Sequence, residues 1–440
     1  MKKIGFWSAL ALVVGNIIGV GIFTTSGYLT ARIQQSNLIM LAWFIGGIYA
    51  LCGGFVYGFL AQEMPRRGGD YVYLKTYLHP YFGYLFGWSG LWITYTGSIA
   101  ALSLGAAHYF FDILPAGLLI SSASSAFQLK SIGLLFLFLF TLINHYGIRS
   151  GGKTQIGLSL LIVVGMIVFI VFGYFAAPHM VKPAPISGQS ITLNRFFSGL
   201  SAVLFTYMGW TTVVYIADEV KNPKKNIPAA IVSGVLLITA LYLAVNFVFL
   251  RILTPLQMAN KVNVASLVAN RLWGVHATQL IAVVIIIAIL SSLNSTILSG
   301  PRIYQAMARD GYLWHGLAQL HKKYGTPTSA LWVQAAWAAV LLLSGTFNQL
   351  LSFVVGAILI FSILSALVMV RILIRSHTNS WSKWFTVIIY ILLCLLVLIT
   401  ILITQFWQTI LGLLILSTSI PFYFFQEKKK IGREHESMRS

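Results

Sequence analysis

The chain has 440 residues, 58% hydrophobic and only 9% charged, with a formal net charge of +20 and a mean hydropathy of +0.84. Charged residues make up about a quarter of an ordinary soluble domain, so a soluble enzyme or binding module is excluded. A nucleic-acid partner is excluded too, because the Lys and Arg fall in alternate polar loops and not on one soluble face.

Apolar runs of about 20 residues recur along the chain, each long enough to cross a bilayer as a helix. Hydropathy and loop punctuation predict about twelve spans. They fall near 6–32, 38–63, 82–110, 130–147, 154–176, 195–219, 228–252, 278–308, 328–345, 349–373, 383–404 and 406–425. The first run is too long for a removable signal peptide and lacks a small-residue cleavage site. With Lys2 and Lys3 cytoplasmic, about 22 of the Lys and Arg lie on that side and about 7 on the other. The expectation is therefore an all-α polytopic protein of the cell inner (plasma) membrane with both termini cytoplasmic. It forms one membrane domain, in which 6–176 and 195–373 are two five-helix halves, 383–425 two accessory helices and 426–440 a basic tail.

The first span holds an unusual stretch, Gly15-Asn16-Ile17-Ile18-Gly19-Val20-Gly21-Ile22-Phe23. Glycine costs about 1 kcal/mol against alanine in a helix interior. It also lets the backbone leave helical geometry or approach a ligand closely. The stretch predicts a helix interrupted at a binding site. The sixth span has a similar weak middle, Phe205-Thr206-Tyr207-Met208-Gly209-Trp210-Thr211-Thr212. The two spans start on opposite sides of the membrane. Interrupted helices at matching places in two halves point to an inverted repeat with its substrate site at the midplane.

An interrupted helix exposes N–H groups at the start of its second half and C=O groups at the end of its first. The N–H end suits a carboxylate and the C=O end suits an ammonium or a metal cation. One interruption can thus hold both ends of a zwitterion, and an α-amino acid is the simplest such ligand. Gly19, Val20 and Gly21 are assigned as N–H donors, with Asn16, Ile17 and Phe205 as C=O acceptors. Phe205, Tyr207, Met208, Gly209 and Trp210 are expected to form an aromatic side-chain pocket. All nine acids lie at span ends, in loops or in the tail, which favours a neutral or apolar side chain. Cation–π contacts with Trp210 or Tyr207 keep a cationic substrate open.

The remaining features are plainer. Cys52 and Cys394 sit far apart in apolar spans, and no His, Cys, Asp or Glu cluster has metal-ligand spacing, so no cofactor is implied. The loop from Glu63 to Tyr84 suits an interfacial helix, and Thr254 to Gly274 an amphipathic stretch on the outer surface. Asp218 and Glu219 with Lys221, Lys224 and Lys225 are candidates for a cytoplasmic gate, as are Arg302 and Arg309 with Asp310.

Several of these stretches carry a family resemblance. GNIIGVGIF resembles the first-helix motif of the amino acid–polyamine–organocation superfamily, and EMPRRGGDYVYL followed by FGYLFGW is similar to its second-to-third-span region. FTYMGWTTVVYIADEVKNPKKNIPAAI resembles the sixth span and following loop of L-type and related bacterial amino acid permeases. SSLNSTILSGPRIYQAMARDG and TPTSALW resemble the eighth span and the start of the ninth. The resemblance implies a leucine-transporter-like fold of five plus five inverted helices with two more, discontinuous first and sixth helices, and amino acid transport by alternating access. It implies Phe205 as an aromatic gate, Ser292 and Asn294 lining the site or an adjacent ion position, and Gly15 and Ile18 facing that position. Two departures bear on selectivity: Val20 stands where many members have Ser or Thr, and Met208 where Gly is usual. The lysine that some proton-coupled members carry in the fifth span has no counterpart among residues 160–163. Exchange or facilitated transport is favoured on that ground, with proton or sodium coupling still open. A non-transporting sensor on the same scaffold, or a carrier of cationic amino acids or polyamines, is the alternative.

Overall fold

The computed structural model describes residues 3–113, 122–176, 193–261, 263–344, 347–404, 410, 412, 414 and 416–437. The described residues are overwhelmingly helical, and eight helices among them are long and apolar enough to cross a membrane. Two further apolar helices, Arg195–Thr206 and Thr328–Ser344, are shorter. The chain is a multi-pass membrane protein. The expected twelfth span lies partly outside the described residues, and a last helix, Ser419–Ser437, runs from its end into the basic tail.

The first apolar run is divided into α1 (Phe6–Ile17) and α2 (Gly21–Arg32). Then come α3 (Ser36–Glu63), a short α4 (Asp70–Tyr77), and a third span made of α5 (Pro80–Ser89), one π turn (Gly90–Thr94) and α6 (Tyr95–Ile113). Next come α7 (Ser122–His145) and α8 (Ile148–Ala176). The expected sixth span contains α9 (Leu193–Thr206) and the single turn α10 (Thr212–Tyr215). After them run α11 (Pro223–Ile252), α12 (Pro255–Met258), α13 (Val264–Trp273), α14 (Val275–Arg309), α15 (Thr328–Ser344), α16 (Phe347–Arg375) and α17 (Trp381–Thr404).

Local chemistry sets several of these boundaries. Pro80 and Pro223 stand at first-turn positions, where the missing N–H costs nothing. Thr254 and Gln257 form a reciprocal capping box at α12. The π turn before Tyr95 adds a residue to the third span, a feature that often accompanies functional sites. Packing places α1 in the centre, against α8, α11 and α14, while α3 runs along α11 and α6 along α14.

One loop expectation changes in part. The stretch from Glu63 to Tyr84 is not all surface: Asp70, Tyr71, Tyr73 and Leu74 of α4 are buried, while Glu63, Arg66, Thr76 and His79 are exposed. Gly68 and Gly69, at φ +107° and +49°, turn the chain back into the bundle. A Cβ at Gly69 would meet the Tyr215 ring at 2.5 Å, so only glycine fits this approach. The 254–274 stretch has the two faces expected of an amphipathic segment, with Leu256, Gln257, Arg271 and Trp273 exposed. Val264, Ala265, Val268 and Ala269 are buried, and Asn260 N–H donates to the Gly27 carbonyl at 3.0 Å. This segment sits over α2.

Candidate functional site: the meeting of two interrupted helices

Helix α1 ends where Ile18 takes an extended conformation, φ −75° and ψ 99°. Its last carbonyls face protein hydroxyls: Ser292 Oγ donates to Asn16 O at 3.1 Å, and Tyr242 Oη to Ile17 O at 3.0 Å. A helix start leaves its first N–H groups without an i−4 acceptor; at α2 the Phe23 N–H donates to Val20 O at 3.1 Å. Asn16 ties this interruption to the second. Its Nδ2 donates to Gly209 O at 2.8 Å, and its Oδ1 accepts from Thr296 Oγ1 at 3.3 Å.

Gly209 holds φ +131°, and a Cβ there would lie 2.7 Å from Asn16 O. Gly21 is pressed against Thr206, whose Cγ2 would be 2.8 Å from an added Cβ. One turn further along, Thr25 and Thr206 share a hydroxyl hydrogen bond of 2.7 Å. The two interruptions therefore touch through small residues and are cross-linked by one amide.

Between them lies a cavity of about 210 Å³. Asn16, Ile17, Gly19, Val20 and Gly21 line it from the first span, and Phe205, Met208 and Gly209 from the sixth. Ser292, Thr296 and Ser299 of α14 and Thr94, Tyr95 and Ser98 of the third span complete its walls. Most of the expected substrate residues are thus brought together.

Three are not. Tyr207 turns into the bundle, donates to Trp43 O at 3.0 Å and packs on Trp43 and Tyr242. Trp210 packs on Tyr49 and Tyr390 over Gly53. The aromatic residues that do line the cavity are Phe205, Tyr57, Phe86, Tyr95, Phe361 and Tyr215. Residues two to five positions apart leave an irregular segment in different directions, so the expected grouping of Phe205, Tyr207 and Trp210 could not hold as a set. The third, Asn294, is fully buried beside the cavity. It accepts from Asn144 Nδ2 and donates to Gln155 Oε1, both at 2.8 Å.

Gln155 itself was not singled out by sequence reasoning. Its Nε2 donates to Ser291 Oγ at 2.7 Å, and Ser159 Oγ donates to Ala11 O at 2.8 Å. Gly15 faces this cluster so closely that a Cβ would fall 1.9 Å from Gln155 Nε2. The expected ion position at Gly15 is thus packed with a carboxamide and two serine hydroxyls. Ile18 is fully buried, and Ser292 faces the cavity. The signal for Gln155 was a lone amide at the start of the fifth apolar span.

The expectation that no acid reaches the cavity is also corrected. Asp70 lines it, only 1% exposed, and accepts hydrogen bonds from Tyr215 Oη at 2.6 Å and from Ser365 Oγ. Burial pushes its carboxyl above the usual carboxylate range, and the hydroxyls of Ser365, Tyr215 and Tyr57 offset part of that rise. The glycine turn at 68–69 that carries Asp70 inward was visible in the sequence, but its direction was not.

The charged residues near Ile4 form a separate layer. Glu219 bridges Arg302 Nε at 3.0 Å and Arg67 Nη2 at 3.1 Å, and Arg67 Nε reaches Asp218 at 3.1 Å. Arg67 Nη1 also donates to Gln305 Oε1. Arg302 and Glu219 are almost fully buried, while Asp218 is exposed. Removing one partner of such a pair costs about 3–5 kcal/mol, because a charge is left buried alone. The expected lysine partners Lys221, Lys224 and Lys225 are replaced by these two arginines. Asp310 pairs with Lys75 at 2.6 Å, not with Arg302 or Arg309. Ile4 adds a backbone clasp: its N–H donates to Glu219 O and its carbonyl accepts from Lys221 N–H, both at 2.8 Å. Phe205 lies in the cavity wall, apart from this layer.

A helical membrane bundle with a cavity between two interrupted helices defines a class of membrane transport protein. Residues 4–422 match the amino acid permease family, and the chain belongs to that family. It is 30% identical to the serine/threonine exchanger SteT of Bacillus subtilis, over 98% of each chain. It is 27% identical to the human Asc-type amino acid transporter 1 over 80% of this chain and 68% of that protein. It is 24% identical to the rat b(0,+)-type amino acid transporter 1 over 98% of this chain and 90% of that protein.

Proposed function

We propose that the protein exchanges neutral amino acids across the membrane by alternating access. The observation that carries this reading is the cavity between the two helix interruptions. At one wall it presents the carbonyl end of α1 and the N–H end of α2, which suit the ammonium and carboxylate of one zwitterion. Gly19, Val20 and Gly21 would donate to the carboxylate, and Asn16, Ile17 and Phe205 would accept from the ammonium. Phe205 serves as the movable cover, and the layer of Arg67, Glu219 and Arg302 closes the cytoplasmic side. The two halves, 6–176 and 195–373, act as inverted repeats of a leucine-transporter-like bundle, with both termini in the cytoplasm.

Two observations narrow the chemistry. Hydroxyls of Ser292, Thr296, Thr94 and Ser98 face the cavity. Together with the relative named as a serine/threonine exchanger, they put small neutral amino acids, Ser and Thr first, at the head of the substrate panel. The carboxamide packed beside Gly15 favours exchange over ion-driven uptake, because neutral donors already satisfy the Ala11 carbonyl.

Proteoliposomes loaded with serine should take up labelled serine saturably. Uptake should require internal amino acid and should not be driven by imposed proton or sodium gradients. No saturable uptake across a full amino-acid panel would sink the transport reading. Gradient-driven uptake into empty vesicles would replace exchange by symport.

A further inference from the structure

Asp70 has no role in holding the zwitterion and no cationic partner among the described residues. The nearby cations are engaged elsewhere: Arg67 with Asp218 and Glu219, Arg302 with Glu219, and Lys75 with Asp310. The titratable groups that face Asp70 are all tyrosines: Tyr57 from α3, Tyr73 from its own helix, Tyr95 from α6, Tyr215 from α10 and Tyr390 from α17. Ser365 of α16 completes the shell.

A buried carboxylate without a cation is costly to keep charged. A protonated one is satisfied here. It can donate to the oxygen of Ser365 or Tyr215 while its other oxygen accepts. The shell also joins elements that would part when the cavity floor opens, since Tyr215 belongs to the short second piece of the sixth span.

We propose that Asp70 is a proton-binding site in the cavity floor, protonated while the floor is closed and ionised when the floor opens to water. The proton leaves to and returns from the side toward which the floor opens. It therefore gates the cycle without being carried across, in keeping with exchange that a proton gradient does not drive.

The sign follows from the burial. The closed floor binds the proton more tightly than a hydrated aspartate does, so acid favours closure and rising pH favours opening. Ser365 lowers the proton affinity by donating to the anion, so its removal should move the transition to higher pH.

The proposal rests on the transport reading, and two measurements keep them apart. Infrared difference spectroscopy of the purified full-length protein in lipid nanodiscs should show a carboxylic C=O band on acidification. The band should be absent in Asp70→Asn and should titrate at higher pH in Ser365→Ala. Serine exchange, measured with equal pH on both faces and scaled to each variant's own maximum, should slow in acid for the wild type. The slowing should begin at higher pH in Ser365→Ala and vanish in Asp70→Asn.

An identical band in Asp70→Asn, or an unchanged pH profile in either variant, would overturn the proposal. So would an Asp70→Asn protein that keeps its pH profile but loses recognition of lysine or arginine, which would make Asp70 a side-chain subsite. Absence of any flux in the wild type would refute the transport reading, while the infrared band would still decide the proton site.

Discussion

At Gly209 an added Cβ would lie 2.7 Å from the Asn16 carbonyl and would have to hold φ +131°, whereas at Gly19 its nearest neighbour would be Ser292 Oγ at 3.8 Å. The glycine of the sixth-span interruption is thus required by the fold, and Gly19 of the first is not. Gly19 borders open cavity instead. Gly15 and Gly21 are also closely packed, but against side chains and not backbone: an added Cβ would lie 1.9 Å from the Gln155 carboxamide and 2.8 Å from the Thr206 methyl. A glycine-rich stretch of one span therefore contains residues selected by two different pressures: close packing on one face and access to a ligand on the other.

Substitutions can break this contrast, beginning with the largest effect. Gly209→Ala should cost about 3 kcal/mol through backbone strain and the Asn16 contact together. Thermal unfolding in detergent should show a clear drop and exchange should be lost; an unchanged melting temperature would refute the packing role. Gly15→Ala should cost about 2 kcal/mol by overpacking against Gln155. In a Gln155→Ala background the same change should cost less than half as much, and strict additivity in that cycle would mean the two residues are not coupled.

Asn16→Ala removes a side chain that joins both interruptions. A loss of about 1–2 kcal/mol in stability is expected. The substrate affinity should weaken about tenfold, since the two walls of the cavity lose their tie. Equilibrium binding that stays at the wild-type value would show that the walls are held by other contacts. The smallest structural effect belongs to Gly19→Ala, within about 0.5 kcal/mol of wild type. Its signature is functional: KM for serine should rise while the melting temperature stays put. A KM unaffected by this methyl would move the binding site away from the first interruption.

The interruptions and the cavity between them were legible because their signals are local. Glycines in an apolar run, and a polar middle in another, are properties of a few consecutive residues. Ser292 was legible for the same reason, from the motif that carries it. Tyr207 and Trp210 were misplaced because an irregular segment has no fixed period, so the facing of each side chain depends on its neighbours α3, α11 and α17. Asp70 was missed because it reads as a loop acid. Only the inward turn at Gly68 and Gly69, packed on Tyr215, takes it to the cavity. Asp218, Glu219 and Arg302 were all singled out as gate candidates, but their pairing was not: Arg67 lies 151 residues from Asp218 and Arg302 83 residues from Glu219, beyond any local pattern.

What the sequence determined by itself is the solvent and the ladder: apolar runs of membrane length, basic residues on alternate loops, and two places where a helix cannot continue cheaply. These follow from transfer energies and backbone propensities, which act residue by residue. What the tertiary structure decided is which atoms share the space beside each interruption. The carboxamide of Gln155 fills one face of α1, the cavity occupies the other, and Asp70 lines its wall. Such choices depend on helix rotation and close packing between segments far apart in the chain, where a single methyl group is enough to exclude one arrangement.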